Sequence, residues 1–226
     1  MSRDRLLISL DDMTPLRGRE TVQEIFFILL GYDPRGKAGE MPLAETYPQV
    51  ARVLPEGASL RKWFYAGVTP VITMRKGIKH RFPGGFPLYD CLPPEIVSFY
   101  FAVIESDRSA RDTARILAGI QGGSNEPSLI RDASDLITSM QPGGAILRQA
   151  LGLLVKGVEV ALINNRDDIR YTNIFTFKSR ENYLAGTHTD WGNQRIALTL
   201  RVEYGRHAPM ERSGSITVSK AAGRAT

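Results

Sequence analysis

The sequence predicts a mainly β fold of the α+β class, an antiparallel sandwich of about eight strands with helices inserted near its middle. Three observations predict it. Strand-forming runs stand on both sides of a single helical block. Near the end of the chain Ile196, Leu198, Leu200 and Val202 alternate with Arg195, Ala197, Thr199, Arg201 and Glu203, the period of a strand with one face packed and one in water. Strands and helices do not alternate regularly, as a doubly wound parallel sheet requires. A chain of 226 residues is long enough to bury a substantial core without disulfides. A single domain is expected over residues 1–204, with the helical insertion at about 107–155 and a flexible basic tail at 205–226.

Taken in order, Leu6 to Leu10 and Gln23 to Tyr32 read as strands that end on Asp11-Asp12 and on Asp33-Pro34-Arg35-Gly36. Short apolar pieces follow at Gln49 to Leu54, Trp63 to Gly67 and Val71 to Met74, and Pro70 splits the last two into separate strands or an edge with a bulge. Arg75, Lys76, Lys79, His80 and Arg81 form a basic turn before PGGFP; they offer a contact for phosphate or an acidic surface, or guard an edge strand. Ile96 to Ile104 is the central strand, bulky throughout and closed by Glu105, Ser106 and Asp107. Three helical pieces come next, the second spaced by Leu129, Ala133, Leu136 and Met140. The third, Ala145 to Val155, has enough apolar surface for a core or an oligomer interface. Strands resume at Val158 to Ile163, Tyr171 to Phe177 and Arg195 to Tyr204.

One cysteine, Cys91, rules out an internal disulfide framework, and His80, His188 and His207 form no Cys/His zinc spacing. With acidic residues interrupting the first apolar run and no stretch of membrane-spanning length, the reading is cytoplasmic. The formal charge of +5 is concentrated beyond Tyr204, where Arg206, Arg212, Lys220 and Arg224 face Glu211. No basic block with interleaved aromatics predicts specific nucleic-acid binding. Phosphate-loop, dinucleotide, zinc-protease and nucleophile-elbow motifs are missing from the sequence. The expectation is therefore a non-catalytic binding or assembly module with a protein partner or a second copy of itself. The enzymatic alternative is a hydrolase pairing Cys91 with His188.

Acidic corners carry the sharper expectation. Asp11-Asp12, Asp33, Glu105 with Asp107, and Asn164-Asn165-Arg166-Asp167-Asp168 each follow a strand candidate, and hard oxygen ligands from several loops make calcium sites. Glu105, Asp107, Asp167 and Asp168 are the candidate calcium ligands, in competition with direct pairing to Arg108 and Arg166. The placement of Asp11-Asp12, Asp33-Pro34 and Asn164 to Asp168, the last before Ile174-Phe175-Thr176-Phe177, resembles the aspartate-bearing loops of C2 domains. That resemblance implies a C2-like or jelly-roll-like sandwich, bound calcium and calcium-dependent association with acidic membranes.

Overall fold

A computed structural model describes residues 5–38, 51–52, 60–106, 144–164 and 168–205. Its strands are β1 (Arg5–Pro15), β2 (Val22–Tyr32), β3 (Ala51–Arg52), β4 (Phe64–Val68), β5 (Ile72–Arg75), β6 (His80–Cys91), β7 (Ile96–Glu105), β8 (Asp168–Lys178), β9 (Gly186–Gly192) and β10 (Ile196–Gly205). Helix α1 (Leu60–Trp63) is a single turn, α2 (Gly144–Asn164) has 21 residues, and a 3-10 segment spans Ser179–Leu184. One sheet has the order β6-β1-β10-β9; the other runs β3-β4-β2-β7-β8, with β5 also paired to β2. Every pairing is antiparallel, so the expected α+β sandwich is the observed one.

Side-chain alternation gives the second sheet two buried faces. Ile25, Phe27 and Leu29 of β2, with Val97, Phe99, Phe101 and Val103 of β7, face the first sheet's Leu6, Ile8, Leu10, Leu88, Leu198 and Leu200. Phe27 joins the layers, its ring 5.8 Å from Phe82, 5.9 Å from Phe86 and 5.4 Å from Phe101. The alternate residues Phe26, Ile28, Leu30, Tyr100, Ala102 and Ile104 turn outward, where Leu147, Ala150, Leu151, Leu154, Val155 and Val158 of α2 cover them. β7 is central, as its continuous apolar run requires. The apolar stripe of α2 packs on the protein's own sheet.

Four segments differ from the sequence reading. Val158 to Ile163 is the last part of α2 and not a strand. Its β-branched residues favour a strand locally, but the stripe begun at Leu147 continues through Val158 onto the sheet, and packing decides. His80–Cys91 is a 12-residue strand where a turn was expected. As an edge strand it tolerates Pro83 and Pro87, and Gly84 and Gly85, at φ 77° and 81°, let four residues bulge opposite Asp11. Gly186–Gly192 is a further edge strand, too short and polar to show a pattern. Asp11 and Asp12 lie inside β1 and not at its end, because the same bulge allows the strand to continue. Pro70 does separate two short strands, β4 and β5. The first two helical pieces and the basic tail lie outside the described residues.

Gly31 shows how tightly the inter-sheet core is fitted. It pairs with Tyr65 across β2 and β4, and an added Cβ would stand 2.2 Å from the Tyr65 hydroxyl oxygen and 2.3 Å from Cζ. Gly31→Ala is expected to cost about 1–3 kcal/mol of stability through overpacking, read as a fall in the urea midpoint. Tyr65→Phe should be close to neutral, since that buried hydroxyl has no hydrogen-bond partner among the described residues.

Candidate functional site

The antiparallel order sends the acidic corners to opposite ends of the sandwich. Asp33, at the end of β2, is buried beside Arg35, whose backbone N and Nε both donate to Asp33 Oδ1 at 2.8 and 2.9 Å. Cys91 belongs to that end, buried, its thiol pushed up by burial and so poorly suited to act as a nucleophile. Cys91 stands level with Leu6 and His188 with Leu200, opposite Leu10, three strands across. Ladder spacings put them about 20 Å apart. The two do not meet. The His188 ring instead bonds the carbonyl of Leu184.

At the other end, Glu105 and Asp168 are cross-strand partners in the β7–β8 ladder, so two of the four predicted ligands do come together. Asp107 and Asp167, like Arg108 and Arg166, lie outside the described residues. What the sequence reading missed is the pair of arginines holding these carboxylates. Arg170 bonds Glu105 through Nη2 and approaches Asp168 through Nη1 at 3.4 Å; Arg195 reaches Asp168 at 3.2 Å. Glu105 and Arg170 are both buried. Burial, then the charges of Arg195 and Arg19, pulls the Arg170 guanidinium below its ordinary pKa, though it stays protonated. Among the described residues, no three His, Cys, Asp or Glu side chains gather closely enough to hold a metal ion.

Backbone hydrogen bonds weld the surrounding loops into one platform. Leu16 N donates to Arg195 O at 2.7 Å, Gly77 N to Pro15 O at 2.7 Å and Lys76 N to Thr21 O at 2.9 Å. Lys76 Nζ reaches Gly18 O at 3.3 Å, and Arg17 reaches Gln194 Oε1 at 3.1 Å. Asn193 ties the sheets together, its Nδ2 donating to Arg170 O at 2.9 Å while its Oδ1 accepts from Arg195 N at 2.7 Å. On this platform Arg17, Arg19, Arg75, Lys76 and Arg195 are exposed, and so are the aliphatic side chains Leu16 (44%), Val22 (42%) and Ile78 (60%). The sequence signal for it lay in two segments, the basic turn Arg75 to Arg81 noted above and Arg17-Gly18-Arg19, which the sequence reading passed over. Their adjacency depends on β2–β5 pairing, with Val22 opposite Arg75.

His80 borders the platform, its ring 4.9 Å from Phe82. Burial lowers its pKa from the ordinary 6.5. A depressed folded-state pKa leaves stability complete above the unfolded value and removes it as the pH falls through 6.5 toward the folded value. The urea midpoint is therefore expected to fall between about pH 7 and pH 5, and His80→Gln should flatten that part of the profile.

No protein-family model, curated protein or solved structure matches this chain. No helix among the described residues is long and apolar enough to cross a membrane.

Proposed function

We propose that the chain is a non-catalytic binding module that docks on an anionic lipid surface through the basic end of its sandwich. The observation that carries this reading is the platform of residues 16–22 and 75–79, where exposed cations stand beside exposed aliphatic side chains on hydrogen-bonded loops. Each Lys or Arg near an anionic leaflet gains electrostatic attraction, and aliphatic tips gain by entering the boundary between headgroups and acyl chains. Single-stranded nucleic acid favours aromatic stacking surfaces, and the exposed apolar groups here are aliphatic.

Calcium at Glu105 and Asp168 has to displace Arg170 and Arg195, whereas the attraction of the basic end for anionic lipid needs no bridging ion. The test is co-sedimentation of the full chain with phosphatidylcholine vesicles, with and without phosphatidylserine, in chelator and in calcium. Salt-sensitive binding to the anionic vesicles, equal in chelator and calcium, is the expected result. Binding only in calcium would favour the carboxylate site, and equal binding to neutral vesicles would overturn the electrostatic reading. Retention on a polyanion without vesicle binding would redirect the site to another anionic partner.

A further inference from the structure

Natural sheets guard their edges, and among the described strands β8 is the edge left unguarded. Strand β6 carries Pro83, Pro87 and a glycine bulge, β9 has seven residues and ends on glycines at positive φ, and β3 and β5 have two and four residues. Strand β8 has eleven, and from Tyr171 to Phe177 it contains no proline, glycine or charge. Among the described residues it pairs only with β7. Two bonds decide which of its amides face the open side: Ser179 N donates to Glu95 O at 3.0 Å, and Ser106 N donates to Glu24 O at 2.7 Å. With the β2–β7 and β7–β8 registers they assign the ladder bonds to Tyr171, Asn173, Phe175 and Phe177. The N–H and C=O groups of Thr172, Ile174 and Thr176 therefore point away from β7. The side chains of the same three lie on the outer face, where α2 covers the neighbouring strands but leaves them exposed, Ile174 by 50%.

We propose that β8 is a dimer edge that takes the β8 of a second copy, antiparallel, joining two six-stranded sheets into one. An isologous contact needs a surface complementary to itself, and this strand meets that need at its ends and at its middle. It begins on Asp168 and ends on Lys178, so full antiparallel overlap brings Lys178 of each copy to the Asp168 end of the other. Asp168 stays half-exposed beside Arg195, while Arg170 is turned in on Glu105. The two-fold axis then falls on Asn173. There the two copies of Asn173 form a non-hydrogen-bonded pair, the kind whose side chains stand closest. Asn173 is half-buried, its Nδ2 donates to the Tyr171 hydroxyl at 3.2 Å, and its Oδ1 accepts from no described residue, which leaves it for the other copy's amide. On either side of the axis Thr172 faces Ile174 of the other copy through a hydrogen-bonded pair, one β-branched side chain against another. An unrelated strand would satisfy the same amides without matching the charges or the asparagine.

The full chain is weighed by sedimentation equilibrium across the micromolar range, where a mass rising toward twice 25.1 kDa is expected. Ile174→Lys sets like charges near the axis and should weaken dimerisation by at least about tenfold. Because that side chain is exposed, its urea midpoint should match the wild type. Mild oxidation of Asn173→Cys is expected to give a disulfide-linked dimer, since residues in such a pair stand about 4.5 Å apart at Cα. Thr176→Cys should stay uncrosslinked, its two copies lying about 20 Å apart along the strands. The buried Cys91 leaves the wild type uncrosslinked as a control. A single-chain mass at every concentration overturns the proposal. So does a dimer that Ile174→Lys leaves intact, or one that Thr176→Cys crosslinks as readily as Asn173→Cys, because the interface or the register is then another. Slow hydrogen exchange at Thr172, Ile174 and Thr176 in a chain that stays single would assign the edge to another segment of the same chain, and that also overturns it.

Discussion

Replacing Arg170 by methionine is expected to lower the stability of the fold by about 3–5 kcal/mol, the penalty for a buried charge that loses its partner. Glu105 is inside the sandwich end, and Arg170 is the partner that neutralises it there. Water reaches neither group freely, so the loss is largely unscreened. For a domain of this size the melting temperature should drop by about 10 °C. The double variant Glu105→Leu, Arg170→Met should recover most of the loss, because an apolar pair of similar volume needs no solvation. If the single variant melts like the wild type, the pair is not buried in solution. If the double variant is no better than the single, the cost comes from packing rather than from charge.

Reversing Arg75 and Lys76 to glutamate is expected to weaken binding to anionic vesicles by at least about 30-fold. Each cation near such a surface contributes about 1 kcal/mol, so removing two accounts for that factor before the repulsion of the new carboxylates is added. Both side chains are exposed, and the fold should change by no more than about 0.5 kcal/mol. Arg148→Glu, exposed near the start of α2 and away from the platform loops, alters net charge without touching them and should reduce binding far less. Equal losses from both substitutions would mean that overall charge, and not this end, drives association.

Much of the fold was legible because β2, β7, β8 and β10 carry their burial pattern in the residues themselves. Strand β6 was hidden because Pro83, Gly84, Gly85 and Pro87 are turn residues nearly everywhere except in a bulged edge strand. The last part of α2 was misread because a short apolar run such as Val158 to Ile163 satisfies both periods until something packs against it. Of the site, Glu105 and Asp168 were visible as carboxylates at strand ends. Arg170 and Arg195 were not, since an ion pair formed across 65 positions leaves no local signature. The platform depends on pairing between segments more than fifty residues apart, which a reading of each segment alone does not supply.

Strand β1 lies between β6 and β10, and its partner β10 begins 181 positions after β1 ends. During synthesis the β1–β6 pair can form early, but one ladder edge of β1 stays open until residues 196–205 have been made. Contacts so distant in sequence require a large loop to close first, which makes folding slow and leaves a partly built sheet waiting. Leu6, Ile8 and Leu10 then line an apolar strand with unpaired amides, a template for the β10 of another copy. The order of the first sheet thus makes crowded synthesis, rather than the finished fold, the stage at which this chain is most exposed to strand exchange.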